Sequence, residues 1–163
     1  MRILNVAAGV LLIAAGISLQ NRGANFSLDP ASDNCLAGGK RSYHTIIPGF
    51  LLKDGAAVGP FGVMGAFMQP QGQTEVLVNT LDYHMNPQEA LDAPRIQWIG
   101  GRRLELEREA GEAIADELRA MGHEVTVVDD RISMGRGQII WRGEDGVYTA
   151  GTEPRCDGAV AAW

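Results

Sequence analysis

Short apolar runs separated by glycine-rich turns are the main pattern of the chain, and the clearest pair brackets Lys53-Asp54-Gly55. The run Phe50-Leu51-Leu52 has the composition of a buried strand, and Ala57-Val58 with Phe61-Gly62-Val63-Met64 forms the arm on the other side. Because Asp-Gly favours the tight turn between antiparallel strands, the pattern predicts a hairpin. The returning arm ends at Gly65-Ala66, where small residues predict a corner between a strand and a helix.

Helical spacing replaces strand alternation after this corner. Residues 74–83 have helical periodicity, and Asn86-Pro87-Gln88-Glu89 has the N-cap residue, first-turn proline and acidic third residue that begin a second helix. An amphipathic third helix is predicted over residues 112–121, with Gly122 ending it. Its inward residues are predicted to be Ile114, Leu118 and Met121.

The remaining apolar segments alternate as strands. Residues 96–99 and 104–107 form a predicted hairpin, residues 124–128 a single strand, and residues 137–142 and 146–150 a final hairpin. Strands, helices, strands, one helix and strands therefore follow in that order. This order favours an α+β or layered α/β fold over a regular βαβ repeat.

Two segments before the first hairpin allow more than one interpretation. Residues 1–17 carry one arginine, an apolar run and then Ala14-Ala15-Gly16, which suits an export signal and suits a buried strand pair equally well. The compartment, cytoplasm or periplasm, therefore stays open. Residues 20–39 predict a long polar loop, in which Arg22 and Asn25 either hold a carboxylate or an α-amino group or simply face water.

Composition limits the size, charge and redox chemistry of the protein. A chain of 163 residues with 45% hydrophobic content suits one globular domain. Its 14 basic and 20 acidic residues give a net charge of −6, which argues against binding to nucleic acid. Cys35 and Cys156 form at most one disulfide or remain free thiols. The histidines, cysteines and acidic residues lack metal-ligand spacing, so neither a metal nor another cofactor is predicted.

The Gly65-Ala66 corner has two interpretations. Small residues between a strand and a helix let a substrate carbonyl or carboxylate approach the backbone N–H groups. The same residues also allow a helix to pack closely on a sheet without any binding role. Local sequence alone does not separate these alternatives.

Four ordered segments resemble the small, C-terminal subunit of the gamma-glutamyltranspeptidase family. They read K-R-S-Y-H-T-I-I-P-G, P-F-G-V-M-G-A-F-M-Q-P-Q-G-Q, N-P-Q-E-A-L-D-A-P-R and G-T-E-P-R-C-D-G-A-V. The similarity runs from about Gly16, so residues 1–15 are interpreted as an atypical apolar N-terminus and residues 16–163 as a single, truncated small-subunit domain. The resemblance implies an α+β fold that forms part of a four-layer αββα sandwich, as in N-terminal nucleophile hydrolases.

The resemblance also implies site residues. Gly65 and Ala66 match the family's glycine pair, whose N–H groups form an oxyanion hole. His44 and Thr45 match its paired hydroxyl positions, which bind the substrate α-carboxylate. Arg22 and Asn25 match loop positions that are a glutamine and an aspartate in the transpeptidases proper. Asn25 lacks the carboxylate that would pair with an α-ammonium group, which argues against a preference for a free gamma-glutamyl group. Together with His44, which replaces a serine, it suggests a branch of transpeptidase-like proteins of which some resemble cephalosporin acylases. Ala66 replaces the second glycine and still offers its N–H, but it restricts φ.

The family's nucleophile is a threonine at the N-terminus of the small subunit, which attacks a gamma-glutamyl or related amide. No threonine precedes Thr45, so we expect a truncated chain that is inactive alone. Its expected partners are a large subunit, or the absent N-terminal segment of the same precursor, and a small acyl amide. An exposed sheet edge should favour self-association. The alternative is a non-catalytic binding domain or an inert remnant.

Overall fold

The computed structural model describes residues 22–163, which divide into two compact units at the boundary between Thr45 and Ile46. The apolar N-terminal segment, with its export-signal and strand interpretations and the boundary after residue 15, lies outside the described residues. In the first unit, a 3₁₀ turn at Arg22–Asn25 is followed by a loop that a parallel bridge between Ser27 and Cys35 closes. The polar loop predicted from composition is therefore present over its described part.

The second unit contains the helices and strands. The strands are β1 (Gly49–Lys53), β2 (Ala56–Met64), β3 (Ile96–Gly100), β4 (Arg103–Glu107), β5 (Glu124–Val128), β6 (Arg136–Arg142) and β7 (Tyr148–Thr152). The helices are α1 (Met68–Leu81), α2 (Pro87–Asp92) and α3 (Glu112–Ala120). This is the mixed α+β composition that the sequence predicted. No helix among residues 22–163 combines the length and apolar character needed to cross a bilayer.

Two sheets organise these strands. One has four antiparallel strands in the order β1-β2-β6-β7, and the other has three in the order β3-β4-β5, with β4 and β5 parallel. The hairpin between β1 and β2 turns at Asp54 and Gly55, whose φ angles are both positive, 52° and 80°. The Asp-Gly signal is confirmed, because two successive positive φ angles define the turn that matches strand twist.

The core lies between one face of the four-stranded sheet and helices α1 and α2. Phe61 and Trp141 face each other from neighbouring positions on β2 and β6, with ring centroids 5.8 Å apart. Val63, Val76 and Leu91 are almost completely buried beside them. Burial of such side chains stabilises the fold by about 2 kcal/mol each.

The opposite face of this sheet is open among the described residues. Phe50 and Leu52 on β1 are 58% and 59% exposed, so the prediction that this run fills a buried strand is wrong for the structure as described. Met64 and Tyr148 are exposed as well. An apolar run shows that its side chains are suited to burial, but it does not show which other element of the protein covers them.

The helices differ from the prediction in two details. Helix α1 begins at Met68, six residues before the predicted start, even though its first turns contain Pro70 and Gly72. Ile114 in α3 and Met121, which caps its C-terminal end, are exposed, and Ala115 is completely buried, so the predicted inward face is wrong in part. The shorter side chain lets the helix lie close to its neighbours. The capping box at Asn86 and Glu89 is present as predicted.

Candidate active site

The corner after β2 has unusual backbone geometry. Gly65 has a φ of 155° and Ala66 a φ of 53°, both in regions that side chains disfavour. Their carbonyl oxygens accept hydrogen bonds from the N–H groups of Met68 and Gln69, at 3.0 and 3.2 Å, and so begin helix α1. Because each carbonyl shares its peptide plane with the N–H of the next residue, these two bonds fix the directions of the Ala66 and Phe67 N–H groups.

Gly135 packs directly against this corner. A Cβ atom built on Gly65 would lie 2.9 Å from the Cα of Gly135, and one built on Gly135 would lie 2.9 Å from the carbonyl oxygen of Met64. Neither distance is compatible with a side chain. The two backbone segments therefore support each other in a contact that only glycine permits on both sides.

Arg95 holds the segment that contains Gly135. Its Nη1 donates hydrogen bonds to the carbonyl oxygens of Met134 and Gly135, at 2.9 and 3.1 Å, and its Nη2 contacts Glu153 Oε2 at 2.8 Å. The guanidinium is buried, with 2% of its surface exposed. Burial, followed by repulsion from Arg155, lowers the pKa of Arg95. Two carbonyls and one carboxylate compensate for the lost hydration of this cation.

A second arginine completes a buried cluster of charges. Arg155 contacts Glu153 Oε1 at 2.7 Å and binds the carboxylate of Glu107 with two nitrogens. Glu107 also accepts the backbone N–H of Arg95 at 2.8 Å. Burial lowers the pKa of Arg155, but hydrogen bonds to Glu107 and Glu153 outweigh it and raise the pKa overall. The cluster connects three parts of the fold: Glu107 at the end of β4, Glu153 and Arg155 after β7, and Arg95, which binds the segment that contains Gly135.

The four side chains of this cluster were missed by sequence reasoning. Arg95 and Arg155 stood inside segments quoted for the resemblance, A-P-R and E-P-R, but no charge pairing was predicted for them. Arg95 and Glu153 are 58 residues apart in sequence, and Arg155 and Glu107 are 48 apart.

The first unit brings together two of the predicted binding residues. Arg22 Nε donates a hydrogen bond to Thr45 Oγ1 at 2.6 Å. Asn25 is exposed, and its carbonyl oxygen accepts a hydrogen bond from Asn34 Nδ2 at 2.7 Å. His44 is exposed beside Thr45. Gly65 and Ala66 belong to the second unit.

A groove between α1 and β3 holds a further carboxyl group. Glu75 Oε1 accepts the backbone N–H of Ile96 at 3.1 Å, while Glu75 Oε2 is buried without a partner among residues 22–163. One turn earlier, Gln71 Oε1 accepts the N–H of Trp98 at 2.6 Å. Burial raises the pKa of Glu75 to about 7, and its hydrogen bond to Ile96 opposes that shift. The groove has a volume of about 410 Å³.

Cysteines and possible metal ligands complete the description. Cys35 and Cys156 are both free thiols. Within residues 22–163, no three His, Cys, Asp or Glu side chains are grouped closely enough to ligate a metal ion.

Comparison with known proteins relates the chain to one family. A family model described as gamma-glutamyltranspeptidase matches residues 4–163, and the match begins inside the apolar N-terminal segment. The chain is 39% identical to the glutathione hydrolase-like YwrD proenzyme of Bacillus subtilis, over 89% of this chain and 29% of that protein. It is 36% identical to the oxamate amidohydrolase proenzyme of Klebsiella pneumoniae, over 96% and 31% respectively.

Solved structures agree with this relationship. The cephalosporin acylase of Bacillus halodurans superposes with a TM-score of 0.84 at 58% identity, covering 91% of this chain and 28% of that chain. A gamma-glutamyltranspeptidase mutant of Helicobacter pylori gives a TM-score of 0.73 at 27% identity and covers 88% of this chain and 83% of that chain. The chain therefore spans about three-tenths of the length of the curated relatives it matches.

Proposed function

The chain belongs to the gamma-glutamyltranspeptidase family, and from this premise we propose that it supplies one part of the active site of an enzyme that cleaves or transfers acyl amides. The family contains N-terminal nucleophile hydrolases of the transpeptidase and acylase types. The observation that carries the proposal is the corner at Gly65 and Ala66, where a hydrogen bond to the start of α1 fixes the peptide unit between the two residues, and with it the N–H of Ala66. Fixed peptide dipoles are what stabilisation of a developing oxyanion requires.

In the proposed reaction, a threonine hydroxyl from the N-terminal part of the active site attacks the amide carbonyl carbon of the substrate. The C=O π electrons move to oxygen, which becomes the oxyanion and accepts hydrogen bonds from the N–H groups of Gly65 and Ala66. The α-amino group of that threonine is the proposed general base: it accepts the hydroxyl proton during the attack. The C=O bond then re-forms as the C–N bond breaks, and the protonated base donates the proton to the leaving amine. An ester to the threonine remains, and water or an amine releases the acyl group.

The loop of the first unit is proposed to bind the acyl group. Arg22 offers a guanidinium to a substrate carboxylate, and its hydrogen bond to Thr45 Oγ1 orients both side chains. Asn25 and His44 are exposed and available for further hydrogen bonds. Asn25 offers no negative charge to an α-ammonium group, which supports an acyl donor without a free amino group over a gamma-glutamyl donor.

A large subunit, or an N-terminal segment of the same precursor, is the proposed partner. The curated relatives are proenzymes of which this chain covers about three-tenths. The open face of the four-stranded sheet, with Phe50, Leu52 and Met64 more than half exposed, offers an apolar surface to a second sheet. Without that partner, this face and the edge strand β1 should drive self-association. Size-exclusion chromatography of the isolated chain tests this: a monodisperse monomer contradicts it.

The function is tested by complementation. The chain is produced alone and together with the remaining segment of the Bacillus halodurans cephalosporin acylase. Both samples are assayed with gamma-glutamyl and glutaryl 4-nitroanilides. Activity only in the complemented sample supports the proposal. The Gly65→Val variant is the control and should be inactive even when complemented, because a side chain at this position collides with Gly135. Activity of the isolated chain contradicts the assignment of the nucleophile. No activity in either the isolated or the complemented sample favours a non-catalytic binding domain.

A further inference from the structure

Arg136 stands at the candidate active site without an assigned role. It is the first residue of β6, and its Cα is the register partner of Met64, the last residue of β2. Gly65 follows Met64 directly. Gly135, whose backbone packs against Gly65, directly precedes Arg136. Both strand pairing and chain connectivity therefore place Arg136 beside the corner.

Strand alternation decides which face of the sheet carries this side chain. Gly137, Ile139 and Trp141 are buried towards α1 and α2, whereas residues at the alternate positions of β6 are on the opposite face. Arg136 shares that face with Met64, which is 56% exposed. The side chain of Arg136 is therefore on the open side of the sheet, at the strand position next to the corner.

The charge of Arg136 is not balanced within the described part of the chain. The buried and half-buried arginines near it, Arg95, Arg131 and Arg155, all contact carboxylates. Arg136 is half-buried, and its guanidinium has neither an ion pair nor a hydrogen bond among residues 22–163. A half-buried cation has lost part of its hydration, and an anion that restores the interaction gains from it.

We propose that Arg136 binds a carboxylate of the acyl donor and thereby sets substrate specificity. The inference rests on the acyl-transfer function proposed above. The ligand class is an amide that carries a carboxylate, either on the acyl half or on the amine half. The planar guanidinium suits this role because it binds a carboxylate with two parallel hydrogen bonds.

The test compares Arg136→Gln with Arg142→Gln in the complemented enzyme. Arg142 occupies the same strand and the same face, at its far end, and so provides a matched control. Three chromogenic amides are used: glutaryl 4-nitroanilide, with a carboxylate on the acyl half; the butyryl amide of 5-amino-2-nitrobenzoate, with a carboxylate on the amine half; and neutral butyryl 4-nitroanilide. Arg136→Gln should raise KM at least about tenfold for one carboxylated amide and leave KM for the neutral amide unchanged.

The pattern of KM values identifies the bound carboxylate. A rise confined to the glutaryl or to the nitrobenzoate substrate assigns it to the acyl or the amine half. Arg136→Lys, which keeps the charge and loses the fork, should recover part of the affinity. Equal changes for all three amides, or none, overturn the proposal.

A binding measurement separates this proposal from the acyl-transfer function. Glutarate and 5-amino-2-nitrobenzoate, which represent the acyl and the amine half, are titrated separately into the complemented protein by calorimetry, which needs no turnover. Saturable binding of either compound that is lost in Arg136→Gln and retained in Arg142→Gln supports the carboxylate site even if none of the amides is cleaved. Absence of such binding for both compounds overturns the role of Arg136, and cleavage of the amides would then leave the acyl-transfer function standing.

Discussion

Replacing Glu75 with glutamine should stabilise the protein at alkaline pH and have little effect at acidic pH. The carboxyl is buried against α1 and β3, and its pKa rises from 4.5 to about 7 on folding. The folded state therefore favours the protonated form, whose stabilising contribution is complete below pH 4.5 and is lost as the pH rises through about 7. A shift of this size corresponds to about 3 kcal/mol between the two ends of the range. Glutamine keeps an oxygen for the N–H of Ile96 and carries no charge.

The assay is urea denaturation followed by tryptophan fluorescence at pH 5 and pH 8.5. Glu75→Gln should raise the free energy of unfolding by about 2–3 kcal/mol at pH 8.5 and by less than about 1 kcal/mol at pH 5. Glu117→Gln, on the exposed surface of α3, is the matched control and should behave like the parent at both pH values. Equal effects of Glu75→Gln at the two pH values, or destabilisation at pH 8.5, would refute the reasoning.

Two further variants test the candidate site. Ala66→Gly should raise the free energy of unfolding by about 1 kcal/mol, because alanine at a φ of 53° is strained in a way that glycine is not; an unchanged or lower urea midpoint would contradict this. Glu153→Ala should cost about 3–5 kcal/mol, since it leaves Arg95 and Arg155 buried with fewer partners. Removing the exposed carboxylate of Asp129, which pairs with Arg108, should leave the midpoint unchanged, and equal losses for the two substitutions would argue against the buried cluster.

Features that depend on neighbouring residues were predictable from the sequence. The Asp54-Gly55 turn and the capping box at Asn86 and Glu89 involve atoms at most three residues apart, so the local sequence contains both partners. The start of α1 was missed although its first hydrogen bonds also join residues three apart, because Pro70 and Gly72 in its first turns weaken the helical signal. Its first hydrogen bonds are accepted by carbonyls of Gly65 and Ala66, so the corner begins the helix despite Pro70.

The local sequence predicted the corner at Gly65 and Ala66, whereas only the resemblance supplied a catalytic role for it, which stays a prediction. Gly65 and Ala66 form the expected corner, and Arg22 contacts Thr45 although 23 residues separate them. The buried ion pairs could not be predicted, because the sequence does not show whether water or a distant residue of opposite charge solvates a charged side chain. Glu153 and Arg95 become recognisable as a pair only after β6 and β7 have brought them together.

The buried cluster has a consequence for the order of events during synthesis. Arg95 and Glu107 leave the ribosome well before Glu153 and Arg155, because the latter two residues lie beyond the end of β7 in the sequence. Until the later residues emerge, the Arg95 guanidinium lacks the Glu153 carboxylate, and the segment that supports Gly65 is not secured. The contact between Arg95 and Glu153 is therefore completed late, after the groove and the first hairpin have emerged.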